Sequence, residues 1–116
     1  MGHAGEAAAL NHLKERGYRI IARDWRSRLG QIDIIAEDDG TLVVIEVKAR
    51  RGTAFGLPQE AVDARKQRKL RTLMEVYRAQ TRRREQPCRI DVVALLLDAD
   101  LGVSSVEHIE NAVEGE

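Results

Sequence analysis

The chain has 116 residues, 19 of them basic and 19 acidic, and one cysteine. That length suits one domain with a real core and is too short for two. No apolar run approaches membrane-spanning length, the polar start opens no signal peptide, and a lone Cys88 allows no internal disulfide, so the expected location is cytoplasmic, with no membrane partner.

Glu6 to Arg16 reads as a helix stopped by Gly17, with Leu10 and Leu13 on its apolar stripe. Glu6 falls on the same stripe, four residues before Leu10; from this segment alone its ordinary reading is a first-turn acid facing the positive helix end. Tyr18 to Asp24 reads as a strand. Trp25 to Gly30 reads as a connector carrying Arg26 and Arg28, with Trp25 a core or edge anchor.

Gly30 to Lys48 carries the strongest local signal. Two apolar runs flank Asp39-Gly40, which marks a hairpin. A two-residue turn there sets Ile34 opposite Ile45 and Asp33 opposite Glu46; a four-residue loop keeps that register and a three-residue loop shifts it. Glu46 and Lys48, two apart, share a face with Cα atoms about 6.6 Å apart. Charges inside an apolar strand are costly unless paired or bound to metal. Two carboxylates that close require a proton on one of them or a divalent cation between them.

Arg50 to Leu57 reads as a glycine-containing loop bearing Arg50, Arg51 and Phe55. Pro58 suits the first turn of a helix reaching about Gln80, with Val62, Leu70, Leu73 and Tyr77 as its apolar stripe and Lys66 on that stripe. Residues 65–84 hold nine Arg or Lys, Lys69 among them, against one acid, Glu75. Such a run is either a solvated face or a phosphate contact. Residues 1–85 hold 18 basic and 12 acidic side chains while residues 86–116 hold one and seven, and 15 of the 19 basic residues are arginine. Arginine forks suit phosphate, and a GC-rich genome gives the same bias. Cys88 to Leu97 is apolar enough for a central strand covered on both faces, with Asp91 read first as a strand-end acid. Val103 to Ile109 makes a last strand, and residues 111–116 an acidic, loose tail. His3, His12 and His108 are scattered and read as surface or capping residues rather than ligands. The order αβββαββ implies a layered α/β domain, a mixed sheet flanked by helices.

Glu6 on the first helix, Asp33 on one strand, Glu46-x-Lys48 on the next and a basic helix after them resemble the PD-(D/E)xK nuclease superfamily, whose fold is the restriction-endonuclease-like three-layer core. Gly5-Glu6, Gly17-Tyr18, Gly30-Gln31-Ile32-Asp33, Val44 to Lys48, Phe55-Gly56, Lys66, Arg89 to Val93 and His108 to Ala112 together resemble the YraN-like family of uncharacterised bacterial proteins, over residues 5 to 112. The set is also similar to the archaeal Holliday-junction resolvases. Two departures stand out: Gln31 where the family usually has Glu, and Ile32 where the motif has proline.

The resemblance implies a metal-dependent endonuclease acting on DNA rather than RNA, on branched DNA in the resolvase case, with a homodimer needed for a symmetric junction. Its catalytic set would be Glu6, Asp33, Glu46 and Lys48. Asp33, Glu46 and the carbonyl of Val47 would hold one or two Mg²⁺ or Mn²⁺ ions, with Glu6 on the metal or on a metal-bound water. Lys48 would orient the attacking water or stabilise the transition state. Arg26, Arg28, Arg50, Arg51, Lys66 and Lys69 would hold the nucleic-acid backbone. Gln31 and Asp91 are additional candidates. Two other readings stand beside it: a binding module of the same fold without turnover, and an interaction protein in which Asp33, Lys48 and Glu46 form a structural ion-pair network.

Overall fold

Asp39 and Gly40 both take left-handed backbone angles, φ 50° and 85°, as the central positions of a type I′ turn require. The turn closes β2 (Gly30–Asp38) against β3 (Thr41–Arg51). The computed structural model describes residues 3–51, 62–100 and 102–113. The remaining elements are α1 (His3–Glu15), β1 (Arg19–Ser27), α2 (Ala64–Gln80), β4 (Cys88–Leu97) and β5 (Val103–Ile109). The order αβββαββ is the expected one.

The five strands form one sheet in the order β1-β2-β3-β4-β5. Pairing is antiparallel except between β3 and β4, which run parallel and are separated in sequence by α2. The sheet is therefore mixed, and β4 is a central strand. Val92 packs on one side of it and Val93 on the other. On one side α2 supplies Leu70, Leu73, Met74 and Tyr77, packed with Ile35, Val44 and Ile90. On the other, α1 supplies Ala9, Leu10 and Leu13, packed with Ile34, Val43, Ile45 and Leu95. Helix, sheet and helix make three layers. Among the described residues no helix is long and apolar enough to cross a membrane.

Several expected boundaries move. The connector from Trp25 to Gly30 is the end of β1 and a tight hairpin: Trp25 pairs with Ile32 and Ser27 with Gly30. Trp25 anchors this hairpin edge-on to Tyr77, with ring centroids 5.5 Å apart. β3 runs through Arg51, so the expected loop begins later, and its Phe55 lies outside the described residues, as does Pro58. The described part of α2 begins at Ala64 because Asp63 caps it, its carboxylate accepting the Lys66 N–H at 2.8 Å.

The expected loose tail and scattered histidines require a larger correction. Asp91 is fully buried. Its Oδ2 accepts from the Tyr18 hydroxyl at 2.9 Å and lies 2.8 Å from His108 Nε2, and its Oδ1 accepts from Arg89 Nε at 3.0 Å and the Asn111 N–H at 2.9 Å. His12 Nε2 meets His108 Nδ1 at 3.0 Å, which joins α1 to β5. The Ala112 N–H donates to the Ile90 carbonyl, and Val113 is buried in the core. Residues 111–113 are thus tied down, and 114–116 lie outside the described residues. Burial alone would push the Asp91 carboxyl pKa up, but hydrogen bonds from His108, Asn111 and Arg89 hold it below the usual carboxylate value. The same burial, with Asp91 beside it, pushes the Tyr18 hydroxyl well above its ordinary range.

Replacing Asp91 with alanine takes the acceptor from Arg89 Nε, His108 and the Asn111 N–H, while Arg89 keeps Asp38, and should lower stability by about 3 kcal/mol, measured by urea unfolding. A carboxyl with a lowered folded pKa stabilises fully above its unfolded value, about pH 4, and loses that contribution as pH falls through the folded value. The stability gap between wild type and Asp91→Ala should therefore narrow as pH falls through the folded value.

Candidate active site

The turn at Asp39-Gly40 sets the register expected, Asp38 with Thr41 through Ile34 with Ile45. The ladder ends there. The next step, Asp33 opposite Glu46, is not a backbone pair. Instead the Asp33 carboxylate accepts the Val47 N–H at 2.9 Å. The inside–outside alternation of β2 breaks at this residue: Ile32 and Ile35 pack on the α2 side, Ile34 and Ala36 on the α1 side. A side-chain acceptor has taken a backbone role, and the strand turns its carboxylate toward Glu46.

Glu46 lies between Ile45 and Val47, both on the α1 side, so it projects to the α2 side. It is 5% exposed. Two ammonium groups approach its Oε2, Lys66 from α2 at 3.6 Å and Lys48 from its own strand at 3.7 Å. Both distances are those of ion pairs rather than direct hydrogen bonds. Burial pushes the Glu46 carboxyl pKa up, the nearby Asp33 charge adds to the rise, and the two lysines offset part of it.

Asp33 and Glu46 open onto one cleft of about 420 Å³, lined also by Arg26, Ser27, Gly30, Gln31, Lys66 and Lys69. Lys66 and Lys69 are one helical turn apart at the start of α2, so both ammonium stems reach the same wall. Gly30 makes the opposite contact possible. Its φ is 148°, and a Cβ there would stand 2.8 Å from Lys69 Cε. Nothing in residue type alone marks that approach; the positive φ and the helix contact are tertiary. The Gln31 amide donates to Asp33 Oδ1 and to Asp24 Oδ1, each at 3.5 Å. A glutamate there would set a third carboxylate beside Asp33 in place of a donor.

The structure thus brings together Asp33, Glu46, Lys48, Lys66, Lys69, Arg26 and Gln31. Arg28 stands exposed at the β1–β2 turn, and Arg50 and Arg51 are exposed at the end of β3. It does not bring in Glu6. That residue is half-buried on α1, whose Ala9, Leu10 and Leu13 bind it to the sheet side opposite Glu46. Among the described residues no group of three or more His, Cys, Asp or Glu could hold a metal ion. Asp91 also lies away from the cleft: Val92, its neighbour, packs on the α2 side and Asp91 on the other, within the Tyr18–His108 cluster.

The model of a family described as "Uncharacterised protein family UPF0102" matches residues 5–95. A UPF0102 protein of Symbiobacterium thermophilum is 54% identical over 93 residues, covering 80% of this chain and 79% of the relative. Those of Pelotomaculum thermopropionicum and Moorella thermoacetica are 40% and 45% identical, covering 97% and 96% of this chain and 93% and 92% of the relatives. Among solved structures, a chain of an EndoMS-dsDNA2 complex aligns with a TM-score of 0.45 at 19% identity, over 84% of this chain. This chain spans 36% of that one.

A buried acid with a raised pKa destabilises the fold when ionised. Its contribution is favourable below the unfolded carboxyl value and is lost as pH rises through the folded one. Glu46→Gln should therefore be more stable than wild type at pH 7, by about 1 kcal/mol, and the gap should close as pH falls below about 4. Thermal unfolding at the two pH values measures it.

Proposed function

The chain belongs to the uncharacterised protein family UPF0102, and we propose that it is a nuclease that hydrolyses phosphodiester bonds of DNA at the Asp33–Glu46 cleft with the help of Mg²⁺ or Mn²⁺. The observation that carries this reading is the pairing of a buried, desolvated Glu46 with the Asp33 carboxylate, both facing a cleft rimmed by Arg26, Lys66 and Lys69. An acid pair that repels inside a basic cleft does nothing for folding and suits cation binding.

The donor set fits the ion. Mg²⁺ is commonly held by one or two carboxylates, with waters and substrate phosphate filling the rest of its shell. Asp33 and Glu46 would supply those two oxygens, with the Val47 carbonyl as a third donor; Glu6 sits on the opposite side of the sheet from them. When bound, the ion activates water and neutralises charge on the scissile phosphate. The chain's own groups do the rest. Lys48, already aimed at Glu46, holds the attacking water or the developing charge. Lys66 stands close enough to Glu46 to exchange that ion pair for a phosphate contact. Arg26 and Lys69 line the cleft, and Arg28 and Arg50, the latter on the Glu46 face of β3 by strand alternation, would extend a positive rim that grips backbone rather than bases. Branched DNA is the finer reading, drawn from the resemblance to junction resolvases; a symmetric junction would then call for a homodimer.

A second reading has one observation in its favour. With two carboxylates and no third ligand grouped among the described residues, the same cleft suits a binding module that does not turn over. Cleavage separates the two. Four-way-junction, single-stranded and duplex DNA should be cut in Mg²⁺ or Mn²⁺ by wild type, and Glu46→Ala and Lys48→Ala should each slow cutting by about 100-fold or more. Salt-sensitive binding without cutting would favour the binding module. Equal rates for all three proteins would mark the activity as a contaminant.

A further inference from the structure

Leu29 is 53% exposed, the one large exposed hydrophobic among the described residues. Single apolar residues on a surface are ordinary, but the setting of this one is not. It occupies the tip of the β1–β2 hairpin, between Arg28 and Gly30. Ser27 and Gly30, the residues that close the hairpin, line the Asp33–Glu46 cleft with Arg26. The tip is held firmly. The Ser27 hydroxyl oxygen accepts the Leu29 N–H at 3.1 Å while its proton goes to the Gly30 carbonyl at 3.4 Å. Gly30 presses against Lys69 of α2, and Trp25 behind it is wedged on Tyr77. An apolar side chain is thus presented to solvent on a braced support, just after the exposed residues Arg26 and Arg28.

We propose that Leu29 is a wedge that inserts between two stacked bases of DNA seated on the cleft, and that the preferred substrate is DNA with a base step already opened next to the cut. The inference rests on the nucleic-acid reading of the cleft. Its physical basis is that an apolar wedge unstacks a base step, and contacts that the bent backbone makes offset the lost stacking. Arg28 beside Leu29 and Arg26 in the cleft lining are available for those backbone contacts. A step already open, at a bulge or a branch point, spares the unstacking.

The test uses the full chain in EDTA, bound to a duplex with aminopurine, a fluorescent adenine analogue quenched by stacking. Wild type should raise the fluorescence several-fold. Leu29→Ser should bind within a few-fold of wild type, since the arginines remain, and leave the fluorescence near that of free duplex. Leu29→Phe should restore the rise. With metal added, Leu29→Ser should lose at least about tenfold in cleavage of continuous duplex relative to DNA carrying an unpaired bulge. Binding with an equal fluorescence rise in wild type and Leu29→Ser, or binding with no rise in either, would overturn the wedge and leave the nuclease reading standing. No binding of any DNA by wild type would overturn both.

Discussion

Glu46 is an acid kept from water at the centre of a sheet, and everything near it responds to that fact. Its ionised form is disfavoured by burial and by Asp33, and favoured by Lys48 and Lys66. Neither influence is strong enough to make the other irrelevant. The lysines stand at ion-pair distances of 3.6 and 3.7 Å rather than in direct hydrogen bonds. On the reading proposed above, this acid pair is kept for cation binding rather than for the fold.

The rest of the molecule serves this arrangement. The type I′ turn sets the β2–β3 register, which carries Asp33 to the level of Val47. Parallel pairing of β3 with β4 places α2 over the face to which Glu46 points, and so delivers Lys66 and Lys69. On the other face the Asp91 cluster locks α1, β1, β4 and the end of β5 together. One face carries a polar network closed around Asp91, and the other carries an acid pair that faces a cleft. Polar groups of the same kinds thus play opposite parts on the two sides of one sheet.

Much of this was legible in the residues. Asp39-Gly40 encodes its turn locally, so the hairpin and its register follow from sequence. The apolar run of β4 and the stripe of α2 encode burial by periodicity, and Lys66 on that stripe points to Glu46. What was not legible depends on contacts between distant residues. Asp33 leaves the backbone ladder to accept the Val47 N–H, which no strand periodicity foretells. Trp25 to Gly30 lacks an obvious strand pattern because its hairpin is fixed by Trp25 on Tyr77 and Gly30 on Lys69. Asp91 reads as a strand-end acid until Tyr18 from before β1, and His108 and Asn111 from the end of the described chain, converge with Arg89 on it. Glu6 shares the buried stripe of α1, but that stripe faces the wrong side of the sheet for Glu46.

The central claim is that Asp33 and Glu46 form a cation site, and calorimetric titration with Mn²⁺ tests it without any substrate. Wild type should show saturable binding that is lost in both Asp33→Asn and Glu46→Gln. Because the Glu46 carboxyl must ionise to bind, affinity should begin to weaken at a pH above the ordinary carboxylate range. Binding heats that are absent in wild type, or that are unchanged in both variants, would contradict the account and leave Asp33, Glu46 and the two lysines as a structural ion-pair network.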